Sequence, residues 1–180
     1  MIRRPTRWLG VPLGAILLLA LATGVVASQV RNFVTPLSGA EEVPANASRA
    51  RGTAIFQLSA DGTQLSYRLI ASNIHNVHMA HIHMGPPGVN AGIVVWLFPS
   101  TAAGPPGALG SGRHDGVLAT GTITAANLTG ALAGQPLSAL VAAIDAGNAY
   151  VNVHTNDGME PLNTGPGDLQ GGEIRGQLDH

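Results

Sequence analysis

After residue 28 the chain is cut into short apolar runs by glycine, proline, asparagine and aspartate. That punctuation constrains the fold most, because strands need only a few residues between turns while stable helices need longer periodic stretches. "FVTPLSG" (33–39) reads as a first extended piece. In "GTAIFQLSADGTQLSYRLIAS" (52–72), Ala54, Phe56 and Leu58 alternate, "ADG" turns the chain, and Leu65, Tyr67, Leu69 and Ala71 alternate again. This is the pattern of a β-hairpin. "NVHMAHIHM" (76–84), "IVVWLF" (93–98), "VLATGTIT" (117–124), "NAYVNVHT" (148–155) and "GEIRGQL" (172–178) supply further strands. Loops dense in breakers, 85–92, 99–116 and 156–171, separate them. A faint likeness between 52–66 and 116–130 reflects shared hairpin grammar and no true repeat. One segment has the helical period: "PLSALVAAIDAG" (136–147) puts Leu137, Leu140, Val141 and Ile144 on one face, with Gly147 to close it. The expected fold is all-β: an antiparallel Greek-key sandwich of the immunoglobulin type, with one short inserted helix at about 136–146.

The N-terminus is a different object. "MIRRPTR" carries three arginines, an uncharged apolar run follows from Trp8 to Ala27, and small residues close it. Residues 1–28 therefore read as a signal peptide, or as a membrane anchor through residues 8–27 if they are not cut. Residues 29–180 form a single domain of ordinary size. The expected destination is outside the cytoplasm: secreted, periplasmic or at the cell surface. Without cysteine, this exported domain depends on burial or a bound ligand for stability rather than on disulfides. Beyond the leader, six arginines face ten acidic residues and lysine is absent, a net charge of −4. That balance, with no basic patch carrying interleaved aromatics, argues against a nucleic-acid partner. Sequons at Asn46 and Asn127 carry little weight, because such triplets arise by chance.

Chemistry concentrates in "HMAHIHMG" (78–85). On a strand His81 and His83 share a face with Met79, about 6.5 Å apart along the chain, close enough for both imidazoles to reach one ion. His78 points the other way along the strand, yet it and Met79 are candidate helper ligands to the same ion. In "AYVNVHT", His154 shares a face with Tyr150 and Asn152 and supplies a third nitrogen if its strand packs alongside. Three nitrogens without thiolate suit Cu(II) or zinc, and the nearby thioethers of Met79, Met84 and Met159 shift the choice toward copper, Cu(I) in particular, with zinc second. The alternative is a hydrogen-bonded histidine cluster that fixes strand register. His75, His114 and His180 read as solvated loop or terminal residues, with His114 a weaker fourth-ligand candidate. A polar network is expected from Glu42, Tyr150, Glu173 and Arg175, in which Arg175 pairs with Glu42 or Glu173, or Glu173 accepts a histidine N–H. G-x-S-x-G, Ser-x-x-Lys, HExxH and phosphate-loop motifs are absent, so any enzymatic role would be redox chemistry at an open copper position.

Four of these stretches, "LSGAEEVP", "AHIHMGPPGVNAGIVVWL", "GNAYVNVHT" and "GGEIRGQL", occur in an order that resembles the CHRD domain, the chordin-type domain of animal chordins and many secreted bacterial proteins. The likeness covers about residues 33–178. It implies an immunoglobulin-like β-sandwich and an exported, non-enzymatic binding or structural module, whose ligand would be a protein or another surface component. Chordin's growth-factor binding is not implied, because the cysteine-rich modules that perform it are absent. A looser likeness joins "AHIHMG" to the copper-binding strand of Cu/Zn superoxide dismutase, with His81 and His83 as the pair and His154 as the later ligand. The disulfide and the zinc loop of that enzyme have no counterpart here.

Overall fold

The computed structural model describes residues 30–99 and 112–179. The expected leader or anchor at 1–28, residues 100–111 and His180 lie outside the described residues. Eight strands follow in order: β1 Arg31–Ser38, β2 Arg51–Leu58, β3 Leu65–His75, β4 Val77–His83, β5 Ile93–Phe98, β6 Arg113–Ile123, β7 Ala149–Thr155 and β8 Ile174–Leu178. The single α-helix, α1 Leu137–Asp145, precedes β7 and buries Leu137, Leu140, Val141 and Ile144, the face its period marks. Gly147 ends it with a positive φ of 65° and an N–H donated to the Ile144 carbonyl at 2.9 Å.

Every pairing is antiparallel, in the spatial order β5-β4-β7-β8-β1-β2-β3-β6. The ladders do not divide into the two packed sheets of an immunoglobulin-like Greek-key sandwich; they run through one eight-stranded sheet that curls until it is nearly a barrel. Strand β8 makes this continuous, because it lies between β7 and β1 and joins the two halves. Its seam with β1 is tight: a Cβ on Gly176 would sit 2.2 Å from the Pro36 carbonyl oxygen, so only glycine fits there. At the open seam β5 and β6 lie against each other, and the buried Tyr67 hydroxyl donates to the Leu97 carbonyl at 2.8 Å. The Thr129 N–H donates to the Val94 carbonyl at 2.9 Å, so the segment after β6 covers part of the β5 edge.

The concave face holds the apolar core. Phe33 and Leu37 on β1, Ala54 and Phe56 on β2, Leu65 and Leu69 on β3, Ile82 on β4, Val151 and Val153 on β7, and Ile174 and Leu178 on β8 are all buried there. The hairpin expected at 52–72 is β2 and β3, with Gly62 at the turn (φ 71°). Strand β6 begins at Arg113, earlier than the expected 117, because "RHDG" continues the ladder along β3 past two register shifts. Its first residues are mostly exposed, so backbone pairing rather than apolar alternation places them. His75 and His114 therefore lie on paired strands, not in loops. Among the described residues no helix is long and apolar enough to cross a membrane.

Candidate functional site

The convex face of β4, β7 and β8 is polar and yet buried. Register explains how its side chains meet. His81 lies opposite Asn152, His83 opposite Tyr150 and Met79 opposite His154, while Asn152 lies opposite Arg175 on the next strand. A shift between Val77 and Met79 places His78 at a bulge, half-buried and outside the cluster of three. Three segments roof this face: residues 39–48, 85–92 and 156–172. They are tied together by Asn90 donating to the Val43 carbonyl (2.6 Å) and by Asn46 donating to the carbonyls of Gly172 (3.3 Å) and Glu173 (3.1 Å). The Asn46 side chain is thus engaged inside the fold, an unsuitable place for a glycan.

His81, His83 and His154 each offer one nitrogen, and the three atoms lie within 4.8 Å of one another. Two of the rings are oriented by backbone carbonyls. The His83 Nδ1–H donates to the Ala91 carbonyl at 2.8 Å, and the His154 Nδ1–H donates to the Gln170 carbonyl at 2.8 Å. In the neutral form, Nε2 of each ring then carries a lone pair. His81 Nδ1 lies 3.1 Å from His154 Nε2 and donates to it when no ion is present. This leaves Nε2 of both His81 and His83 buried without a hydrogen-bond partner. Orphaned buried acceptors of this kind cost stability, so their occurrence in pairs calls for an explanation.

Aromatic groups wall the cluster. The Trp96 ring meets His81 edge-on at 4.2 Å between centroids, and Tyr150 stacks on His83 at 4.8 Å with 4° between planes. The Arg175 guanidinium lies 3.5 Å over the other face of Tyr150. Its donors go to neutral groups: the carbonyls of Pro86 (3.4 Å) and Val89 (3.1 Å), Asn90 Oδ1 (3.2 Å) and Gln177 Oε1 (3.5 Å). The described ion pairs are Arg31–Asp145 and Arg113–Asp115, so the expected pairing of Arg175 with Glu42 or Glu173 does not form. Glu173 instead accepts from Ser48 (2.6 Å), Thr155 (2.7 Å) and the Gly167 N–H (2.8 Å), and it binds no histidine. The loops reach Glu173 first because it lies at the β8 entrance, where they converge. Glu42 Oε2 accepts from Asn152 at 3.3 Å, and its Oε1 is orphaned, as is Asn152 Oδ1. Gly172 (φ 133°) allows that approach: a Cβ there would lie 2.7 Å from Glu42 Oε1 and 2.5 Å from Asn152 Oδ1.

Burial sets the protonation states. It lowers the His81 pKa to about 3, helped by the charges of His154, His83 and His78. His154 falls to about 4 through burial, against the Gln170 carbonyl, which favours the charged ring. His83 is lowered by burial, opposed by the Ala91 carbonyl and aided by Arg175. Glu42 rises to about 8 because burial outweighs Arg175 and Asn152. At neutral pH the cluster is three uncharged imidazoles beside a protonated carboxyl.

A family model, the CHRD domain, matches residues 33–178. The chain belongs to the CHRD family. Comparison with curated proteins and with solved structures finds no match. In this CHRD domain the roofed histidines come from two of the four stretches that carry the sequence likeness, and Glu42 and Arg175 from the other two. Met79 shares the face of the cluster and lies opposite His154, whereas Met84 packs against the core and Met159 is 64% exposed. His114 lies on β6, away from the three clustered nitrogens. Sequence reasoning missed the carbonyl partners Ala91 and Gln170, since any residue type can supply a backbone acceptor. It also missed Trp96, whose place follows from its register opposite His81.

Proposed function

We propose that this chain is an exported CHRD module that works by binding, without catalysis of its own. The observation that carries this reading is the roof. Loops from three parts of the chain converge on one sheet face and leave clefts of about 440 Å³ and 430 Å³. One reaches the buried Glu173 and the other the buried Glu42. Loops held on a rigid sheet are where binding surfaces are usually built. The ligand is a protein or another component met outside the cell, the kind of use that membership of the CHRD family suggests. Export rests on the leader at 1–28. N-terminal sequencing of protein recovered outside the cytoplasm is expected to start near Ser28 or Gln29; a full-length chain held in the membrane fraction would favour the anchor.

A second reading concerns what the module binds through its histidines. The cluster holds copper or zinc, and three imidazole nitrogens within 4.8 Å of one another, with the buried His83 Nε2 left bare, favour it over a purely structural network. Donor nitrogens around one ion at metal–nitrogen bonds of about 2.0–2.1 Å lie roughly 3.3–3.6 Å apart, so the observed spacings need only a small closure. Elemental analysis after dialysis against each metal separates the readings. One ion per chain, lost on His81→Ala/His83→Ala, supports a metal-binding module. No ion in either protein leaves the histidines as architecture and the loops as the binding surface.

A further inference from the structure

We propose that the histidine cluster discriminates by charge and takes a monovalent soft cation, Cu(I) or Ag(I), in preference to Cu(II) or Zn(II). This rests on the metal-holding reading and adds to it the oxidation state of the ion. The donors are three imidazoles, with no carboxylate or thiolate in the set of described residues. The ion's full charge would therefore remain in the site. His81 is 0% exposed, and His83 and His154 are each 7% exposed. The cost of burying a charge grows as its square, so a divalent ion meets about four times the penalty of a monovalent one.

The surroundings add to that bias. The Arg175 guanidinium, a fixed positive charge with no carboxylate at ion-pair distance, lies one stacked ring away from His83. Two carboxyl groups adjoin this polar layer. Glu42 lies beyond Asn152, and burial keeps its proton on through neutral pH. Glu173 is turned to Ser48, Thr155 and the Gly167 N–H. His78, the remaining titratable neighbour, adds no negative charge. Met79, opposite His154 on the same face, would add a thioether, a soft donor that suits Cu(I) better than Zn(II).

The test uses the purified full chain in chloride-free buffer. Ag(I), which cannot change oxidation state under these conditions, Zn(II) and Cu(II) are titrated calorimetrically, and Cu(I) is measured anaerobically by competition with a chromogenic chelator. The expected result is one Ag(I) or Cu(I) per chain, bound at least about a hundredfold more tightly than Zn(II). His83→Ala abolishes that binding, and Arg175→Gln narrows the ratio about tenfold or more by admitting the divalent ion. Should Arg175→Gln fail to fold, the silver-to-zinc ratio of the native chain decides alone. Zn(II) or Cu(II) binding as tightly as Ag(I), with loss in His83→Ala, would overturn charge selection while keeping the metal site. No uptake of any ion would remove both. Silver binding unchanged in His83→Ala would place the ion elsewhere and overturn the proposal.

Discussion

The convex surface of the sheet has two halves built by the same strand alternation and treated differently by the rest of the chain. On β1, β2 and β3 the outward residues, such as Val34 at 56% exposure, Ser66 and Arg68, meet solvent. On β4, β7 and β8 the outward residues are His81, Asn152 and Arg175, buried to 0%, 2% and 2%. Alternation alone marks which residues face away from the core. Whether that face is wet depends on loops, and here the roof covers one half only. Strand β7, buried at every position from Ala149 to Thr155, thus separates an apolar layer from a polar one. Polar residues on the open half need nothing; on the roofed half each must find a partner or remain orphaned.

Substitutions can test that contrast. The largest effect is expected from Arg175→Ala, which removes the stack on Tyr150 and leaves the Pro86 and Val89 carbonyls without their donor. We expect a loss of about 3 kcal/mol in urea unfolding. His81→Ala should cost about 2 kcal/mol by the same assay, since it opens space beside Trp96 and removes the donor to His154. If it proves neutral, the roofed layer is looser than its burial suggests.

Acid gives the next effect. His81 and His154 have folded pKa values of about 3 and 4, below the unfolded value of 6.5, so the unfolded chain binds more protons in this range. Their contribution is fully present above pH 6.5 and is lost as pH falls toward 4 and then 3. Each histidine accounts for up to about 1.4 kcal/mol per pH unit in that window, and His81→Ala should make the acid slope of stability shallower. An unchanged slope would mean these rings do not charge on unfolding.

Glu42 runs in the opposite direction. Its folded pKa of about 8 exceeds the ordinary 4.5, so its contribution is complete below 4.5 and declines as pH rises through 8. Glu42→Gln should gain on the native chain by about 1 kcal/mol per pH unit between pH 5 and pH 8, read as the difference in melting curves. Smallest of all, Arg68→Ser on the open half should change stability by less than about 0.5 kcal/mol. A cost there equal to that of His81→Ala would erase the distinction between the halves.

The strands were readable because the sheet has a consistent inside: Ala54, Phe56, Leu65 and Leu69 alternate as their register requires. The joining of those strands into one sheet was not, since β8 reaches β1 through a single described pair, Ser38 with Arg175, and no local pattern announces it. The site divides the same way. That His81 and His83 share a face follows from strand period alone. That His154 joins them depends on β7 lying beside β4, a long-range pairing. The partner of Arg175 was misjudged because charge suggests a carboxylate, whereas the roof offered carbonyls, amides and a ring.

The two oriented imidazoles owe their tautomers to Ala91 and Gln170 through main-chain oxygens, which every amino acid possesses. Those two hydrogen bonds therefore place no demand on side-chain type. What the roof cannot change is its path. One residue inserted in 85–92 or 156–172 would shift a carbonyl out of reach and release a histidine, so in this module loop length, not loop spelling, is the inherited instruction.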